Sequence, residues 1–411
     1  MPIPLLLLAL VFGLYSAWNI GANDVANAMG TSVGSKALTL RKAIICAGIF
    51  EFLGAVLVGS HVTDTIRKGI VEPLYFSNNP EILAIGMLSA LIASSLFLNL
   101  ATYMGMPVST THAIVGAVAG FGVVEMGFQV IYWKKLFYIF LSWMVSPLMG
   151  GIIAFFLFKF ITRKILSSPT PYKNAAQISP YLVFAVVFIL ILSIIYKGLR
   201  NLCLDVPLGK SLMISFLLGI IAYMFTKIFF RGRRESKGIE DEFRRVEKIF
   251  TFLQVITACY VAFAHGANDV ANAVGPLAVI FSIAKTHTVT MKVQIPIGIL
   301  VLGGVGIVLG LATFGYRVIE TIGKKITEIT PSRGFSAEFA TATTVLVCSK
   351  MGIPISTTHT LVGAVMGVGF ARGIAALNFG VVRNVIKSWV ITIPGSAIFS
   401  VLIFKVLILV F

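Results

Sequence analysis

The chain has 411 residues, of which 57% are apolar and 12% are charged. Apolar runs of ~20 residues, the length that crosses a lipid bilayer, recur from one end to the other. This pattern predicts an all-α polytopic membrane protein. It excludes a membrane β-barrel, because the short alternating segments of such a barrel are absent.

The formal net charge is +17 at pH 7. The basic residues lie in the short gaps between apolar runs, as expected for cytoplasmic membrane loops, so we exclude nucleic acid as a partner and expect a lipid bilayer. The four cysteines have no metal-ligand spacing and are interpreted as packing thiols; they are Cys46, Cys203, Cys259 and Cys348.

About twelve membrane crossings are predicted from the apolar runs. In chain order the runs lie near 3–22, 43–62, 82–103, 111–127, 135–160, 180–197, 211–230, 249–268, 293–315, 335–350, 360–371 and 388–410. The first is interpreted as a retained span and not as a signal peptide. The fourth and eleventh are short and follow a proline-containing polar segment. Residues 269–283 are expected to form a broken extension of the eighth.

Lysine and arginine are distributed asymmetrically between alternate loops. With the N-terminus outside, the inside loops hold 20 basic residues and the outside gaps hold about half as many. The most charged of these loops is 231–248. We therefore expect a multi-pass protein of the cell membrane with both termini outside.

Two motifs occur twice. Gly21–Gly30 recurs at Gly266–Gly275, 245 residues later, and Ser109–Val118 recurs at Ser356–Val365, 247 residues later. Near-equal offsets indicate that two whole halves are related, as in many secondary transporters.

The number of crossings between the halves predicts their relative orientation. Seven is odd, so the halves enter the membrane from opposite sides as inverted-topology repeats, with broken or re-entrant helices at the site. We predict a first inverted repeat at 1–160 and a second at 249–411. Between them, 161–248 holds two inserted spans and the basic cytoplasmic loop.

The first motif carries carboxylate and carboxamide side chains inside apolar segments. These oxygens suit a hard cation, and we predict a sodium site formed by Asn23, Asp24, Asn27, Asn268, Asp269 and Asn272. The flanking glycines would let the helix open and expose carbonyl groups. The alternative is that these residues cap broken helices or hold one helix against another.

The second motif places hydroxyl side chains at two helix starts, where free N–H groups bind anions. We predict that an oxyanion is bound by Ser109, Thr110, Thr111, Ser356, Thr357 and Thr358, and is bordered by Asp24 and Asp269. A cation at each aspartate would remove the repulsion between carboxylate and anion, which is a physical basis for symport. The alternative is ordinary helix capping.

Four further side chains are predicted to act in coupling or gating: Glu51, Glu338, His112 and His359. Buried carboxylates are costly, so each glutamate belongs to an ion path or pairs with a base, for which Arg67, Lys68 and Lys350 are conceivable. Each histidine either donates to the anion or bonds to a backbone carbonyl. His265 precedes only the second motif copy and is given less weight.

At these motifs the chain resembles the PiT family of inorganic phosphate transporters. The resemblance rests on the two Asn/Asp motifs, on the two Pro-x-Ser-Thr-Thr-His segments, and on Phe50–Gly54, Thr65–Ile70 and Gly334–Glu338. It implies symport of phosphate driven by sodium or protons, and an inverted-repeat fold with a transport part and a scaffold part. It also implies that Glu51 and Glu338 match acidic positions important in the family.

Together these features predict a sodium-coupled symporter of inorganic phosphate. Sodium is preferred as the coupling ion because neutral oxygen ligands abound, and neither an enzyme nor a cofactor is expected. The main alternative is a proton-coupled carrier of phosphate, metal-phosphate or sulfate, and the second is a passive anion channel. A homodimer is left open.

Overall fold

The computed structural model describes residues 3–60, 70–196, 206–230, 238–289, 295–316, 318–319 and 328–411. Helices dominate these residues, and the β-structure described there is one isolated bridge between Val71 and Ile131. Arg67, Lys68, Cys203 and the first part of the predicted basic loop, 231–237, lie outside the described residues.

Twelve α-helices lie in the described part of the chain. In order they are α1 Ile3–Gly34, α2 Leu40–Val58, α3 Pro80–Tyr103, α4 Thr110–Met126, α5 Trp133–Ile161, α6 Pro171–Ile195, α7 Leu208–Phe229, α8 Ile239–Thr286, α9 Ile297–Thr313, α10 Pro331–Lys350, α11 Thr357–Arg372 and α12 Phe379–Val410. Each of the twelve apolar runs overlaps one of these helices.

Seven of the described helices are long and apolar enough to cross a membrane: α1, α3, α5, α6, α7, α8 and α12. Helices α4 and α11 have only 17 and 16 residues, as the short fourth and eleventh runs indicated. Both follow a Pro-x-Ser segment whose serine caps the helix. The protein is therefore an all-helical membrane protein.

Both Asn/Asp motifs lie inside continuous helices, which differs from the expected opening at the flanking glycines. Helix α1 runs through Gly21–Gly30, and the 48-residue α8 runs through Gly266–Gly275 and on past Pro276. Residues 269–283 continue the eighth helix without a break. Helix α8 also crosses the predicted boundary at residue 248.

The glycines of the motifs permit close helix packing. A Cβ on Gly21 would collide with the carbonyl oxygen of Ile307, so α1 and α9 approach backbone to backbone. Likewise, a Cβ on Gly266 would collide with the carbonyl oxygen of Glu51, which joins α8 to α2. Helices α1 and α8 also pack on each other, so these four helices form one group.

A second group of helices repeats this kind of packing. Gly116 in α4 lies against the Ile393 carbonyl of α12, and Gly363 in α11 lies against the Pro147 carbonyl of α5. The remaining helices of the two halves, α3 and α10, pack against members of both groups. The inserted helices α6 and α7 pack on each other, and α6 also contacts α8.

Three of the four cysteines lie in described helices. Cys46 Sγ in α2 lies 2.9 Å from Cys259 Sγ in α8, and both side chains are partly buried. Cys348 in α10 is also a partly buried thiol.

Candidate functional site

Two buried aspartates lie at the contact between α1 and α8. Asp24 and Asp269 are both 0% exposed. Burying a carboxylate is costly unless hydrogen bonds or a cation compensate its charge, so the surroundings of these two groups decide their role.

An asparagine one helical turn further along connects each aspartate to the opposite half of the chain. Asn27 Nδ2 donates to Asp24 Oδ1 at 2.7 Å and to Thr358 Oγ1 at 2.8 Å. Asn272 Nδ2 donates to Asp269 Oδ1 at 3.3 Å and to Thr111 Oγ1 at 3.3 Å. Each Asn/Asp motif therefore meets the hydroxyl motif of the other half.

Threonine hydroxyls contact the Asn/Asp motifs both across the halves and within one half. Thr358 Oγ1 lies 3.3 Å from Asp24 Oδ1, and Thr357 Oγ1 donates to Asp269 Oδ2 at 2.8 Å. Thr110 accepts from Asn272 Nδ2 at 3.1 Å. The starts of α4 and α11 consequently lie against the two Asn/Asp motifs.

The serines of the hydroxyl motifs act first as helix caps. Ser109 Oγ accepts from the His112 amide at 3.2 Å, and Ser356 Oγ accepts from the His359 amide at 3.1 Å. Amides of the first turn that a cap does not satisfy have no partner within the helix and remain available to a ligand. All six hydroxyl residues are at most 4% exposed, so the helix starts face an enclosed site.

Asn23 and Asn268 differ from Asn27 and Asn272 in that their side-chain oxygens already accept hydrogen bonds. Asn23 Nδ2 donates to Thr102 Oγ1 at 2.9 Å, and its Oδ1 accepts from the Val108 amide at 3.3 Å. Asn268 Nδ2 donates to Asp269 Oδ1 at 2.8 Å and to the Ile355 carbonyl at 3.1 Å, and its Oδ1 accepts from Ser349 Oγ at 3.2 Å. Both side chains brace the segments that precede α4 and α11.

His265 lies at the centre of the carboxylates, where the sequence interpretation gave it little weight. Its Nε2 is 3.0 Å from Asp269 Oδ2 and 3.7 Å from Asp24 Oδ2, and its Nδ1 is 3.2 Å from Glu51 Oε1. The i, i+4 spacing of His265 and Asp269 on one helix is the sequence signal that could have revealed this contact.

The two glutamates belong to separate clusters. Glu51 reaches the site through His265, whereas Glu338 accepts hydrogen bonds from Thr31, Ser32, Gln254 and Thr257 at 2.6–3.0 Å. Lys350, considered above as a partner of the glutamates, donates its Nζ to the Tyr196 carbonyl. Hydroxyl and amide groups thus satisfy Glu338, and a histidine faces Glu51.

His112 and His359 follow the second of the two alternatives considered for them. Their Nδ1 atoms each lie 3.5 Å from a backbone carbonyl, that of Trp389 for His112 and that of Trp143 for His359. The two imidazole rings also contact each other, with centroids 4.4 Å apart. They lie one residue beyond the threonines that line the site.

Several buried oxygens at the site accept no hydrogen bond from the described residues: Asp24 Oδ2, Asn27 Oδ1 and Asn272 Oδ1. Ligand atoms of Asp24, His265 and Asp269 all lie within 4.8 Å of one another, a spacing that one cation could span. The carboxylate and carboxamide oxygens of the site are ligands for hard cations, whereas the imidazole nitrogen of His265 is not a preferred ligand of such ions.

The model of the phosphate transporter family matches residues 20–400, which include both pairs of motifs. The chain belongs to this family. It is therefore a multi-pass membrane transporter and not an enzyme.

Other members of the phosphate transporter family align along nearly the whole chain. A candidate phosphate permease of Pyrococcus abyssi is 47% identical, covering 98% of each chain. The chloroplastic inorganic phosphate transporter 2-1 of Arabidopsis thaliana is 45% identical over 96% of this chain and 70% of its own length. A solved sodium-dependent phosphate transporter has a TM-score of 0.93 with 43% identity, and each chain is covered completely.

Proposed function

We propose that this protein is a sodium-coupled symporter of inorganic phosphate in the cell membrane. The observation that carries the proposal is the pair of cross-half links, Asn27 to Thr358 and Asn272 to Thr111. They join the carboxylates to the hydroxyl-bearing helix starts within one enclosed site. The solved relative that is sodium-dependent supports the same choice of coupling ion.

The cation would be bound on the α1 and α8 side of the site. Asp24 and Asp269 supply the charge, and the oxygens Asn27 Oδ1 and Asn272 Oδ1 have no partner among the described side chains. An unsatisfied buried oxygen costs about 1–3 kcal/mol, which a bound cation would offset. Asn23 and Asn268, whose oxygens already accept hydrogen bonds, would support the site from behind.

The phosphate would be bound on the α4 and α11 side of the site. Two helix starts offer amide groups and the positive ends of two helix dipoles. The hydroxyls of Thr357 and Thr358 on α11 can turn from Asp269 and Asp24 to the phosphate when sodium takes over the carboxylates. Because phosphate alone would be repelled by Asp24 and Asp269, this arrangement favours binding of both ions together.

The two halves would act as inverted repeats that open the site alternately to each side. The exchange of partners between halves supports this view: Asn27 with Thr358 is matched by Asn272 with Thr111. The re-entrant elements would be the short helices α4 and α11. The motif helices α1 and α8 would move as continuous rods.

Uptake of labelled phosphate into proteoliposomes tests the proposal. An inward sodium gradient should drive phosphate accumulation above equilibrium, and an equal potassium gradient should not. Equal accumulation with a proton gradient alone would refute sodium coupling. That result would favour the proton-coupled alternative, for which the contact of His265 with Glu51 is the relevant observation.

Substrate choice and mechanism have separate tests in the same vesicles. Excess sulfate should leave phosphate uptake unchanged, and removal of divalent metals should leave it unchanged as well. Competition by sulfate would point to a broader oxyanion carrier. Equilibration without accumulation would point to a passive channel.

A further inference from the structure

Behind the two threonine-bearing helix starts lies a buried group of four aromatic side chains, which we call the His/Trp cluster: His112, His359, Trp143 and Trp389. His112 packs on Trp143 with ring centroids 3.8 Å apart, and His359 stacks on Trp389 with centroids 3.5 Å apart. The two imidazole rings meet edge to face at 4.4 Å and 77°. Each histidine is only 4% exposed.

The His/Trp cluster is cross-braced between the halves of the chain. The Nδ1 atom of His112 faces the backbone carbonyl of Trp389, and that of His359 faces the carbonyl of Trp143. Each imidazole therefore touches the ring of one tryptophan and the backbone of the other. Because a carbonyl only accepts, the proton of each neutral imidazole belongs on Nδ1.

One of these carbonyls is available for a structural reason. Pro147 lies four residues after Trp143 in α5 and has no N–H group, so the Trp143 carbonyl lacks its helical partner. His359 of α11 lies against that free acceptor. This acceptor compensates the burial of one polar atom of the His359 ring.

The His/Trp cluster is directly linked to the anion side of the site. His112 follows Thr111, and His359 follows Thr358, in the first turns of α4 and α11. The amide of each histidine also donates to the capping serine of its own helix. A shift of either ring would consequently move the capped turn that carries the threonine hydroxyls.

We propose that His112 and His359 are positioning residues that hold the two anion-binding helix starts at a fixed separation and orientation. The proposal rests on the proposed phosphate function. Four helices from both halves, α4, α5, α11 and α12, meet at the two imidazole rings. The two histidines therefore align the starts of α4 and α11, which are far apart in the sequence. Neither ring touches the phosphate.

Asparagine and leucine at position 359 provide a matched test. Both side chains are similar in shape and lack the imidazole ring, but asparagine keeps an N–H donor close to the Nδ1 position. Relative to histidine, asparagine loses Nε2, which has no hydrogen-bond partner in the described part of the chain, and both variants lose the ring contact with Trp389. His359→Asn should leave the KM for phosphate within about threefold of wild type, whereas His359→Leu should raise it about tenfold, as expected for one lost hydrogen bond.

Three readouts separate positioning from general structural damage. In His359→Leu, kcat and the sodium concentration for half-maximal uptake, both measured at saturating phosphate, should stay near wild type, because the carboxylate side is untouched. His112→Asn and His112→Leu should show the same difference in the KM for phosphate. The double variant His112→Leu/His359→Leu should raise the KM little more than either single variant, because both act on one shared contact.

Equal KM values for the asparagine and leucine variants would overturn the proposal, as would a parallel loss of sodium affinity. If the leucine variant does not fold, His359→Phe replaces it, since phenylalanine keeps the stacking on Trp389 but has no donor. Failure of the wild-type protein to accumulate phosphate would instead refute the proposed function. If the wild-type protein accumulates phosphate and the leucine variants have an unchanged KM for phosphate, only the positioning role is refuted.

Discussion

For Asn27 and Asn272, the sequence predicted a buried polar site but not the partners of these side chains in the other half of the chain. The intramembrane position of the motif predicted a buried polar site at which Asp24 and Asn27 act together, and their hydrogen bond agrees with this. The bond from Asn27 to Thr358 joins residues 331 positions apart, and no spacing rule supplies such a contact. The asymmetric His265 was undervalued because it occurs in one copy only.

Replacing the cross-half threonines should weaken phosphate binding. Thr111→Val and Thr358→Val keep the side-chain shape but remove a hydroxyl that lines the enclosed site. Loss of a hydrogen bond to a charged ligand costs about 1.5–3 kcal/mol, so the KM for phosphate should rise about 10- to 100-fold. Uptake kinetics in proteoliposomes at saturating sodium measure this change.

Thr360→Val is the control for that experiment. Thr360 is equally buried on the same helix as Thr358, but its hydroxyl donates to the Ser356 carbonyl of its own helix. It should leave the KM near wild type. An unchanged KM in Thr358→Val, or an equal rise in Thr360→Val, would contradict the role given to the helix starts.

At the scale of helices, the packing reveals which elements of the two halves correspond. Gly54 of α2 lies against the Phe263 carbonyl just as Gly310 of α9 lies against the Trp18 carbonyl. Glu51 of α2 then corresponds to Ile307 of α9, and His265 corresponds to Ile20. The site is therefore nearly two-fold in its aspartates and threonines, but it carries one unmatched histidine–glutamate pair.

This correspondence could not be obtained from the repeated motifs. The motifs recur after 245 and 247 residues, whereas Gly54 and Gly310 are 256 residues apart. The longer connection between α8 and α9 shifts the register, and α2 and α9 share too little sequence to reveal it. Helix positions followed from apolar runs, but helix pairing depended on backbone contacts between distant glycines.

Substitution of a packing glycine should destabilise the whole protein. A methyl group on Gly266 would overlap the Glu51 carbonyl, which is backbone and cannot rotate away. Gly266→Ala should therefore lower the free energy of unfolding by about 1–3 kcal/mol, as overpacking does elsewhere. Thermal unfolding in detergent measures the loss.

Gly298→Ala serves as the matched change, because Gly298 lies in α9 with no heavy atom within 4 Å of the added methyl group. Alanine favours helix over glycine by about 1 kcal/mol, so this variant should be as stable as wild type or more so. Equal destabilisation of both variants would show that close approach of α2 and α8 is not what Gly266 provides.

For the molecule as a whole, the proposed inverted arrangement predicts that equivalent helix ends lie on opposite sides of the membrane. Lys36 follows α1, and Lys285 lies in the last turn of α8; both are exposed. In a chain whose four cysteines are replaced by serine, Lys36→Cys and Lys285→Cys should react with an impermeant maleimide from opposite sides. Labelling from one side only would indicate parallel repeats.

Sodium and phosphate should stabilise one another's binding across the whole site. Asp24 and Asp269 repel phosphate until a cation neutralises them, so sodium should raise phosphate affinity, and linkage requires phosphate to raise sodium affinity by the same factor. Thermal unfolding shows this coupling as a rise in midpoint with both ions that exceeds the sum of the separate rises.

Asp24→Asn removes one of the repelling charges and one cation ligand. This variant should still bind phosphate, but the rise in midpoint with both ions should exceed the sum of the separate rises by less than in wild type. Asp241→Asn, in the first turn of α8 and remote from the site, should keep the wild-type excess. An undiminished excess in Asp24→Asn would mean that the cation binds elsewhere.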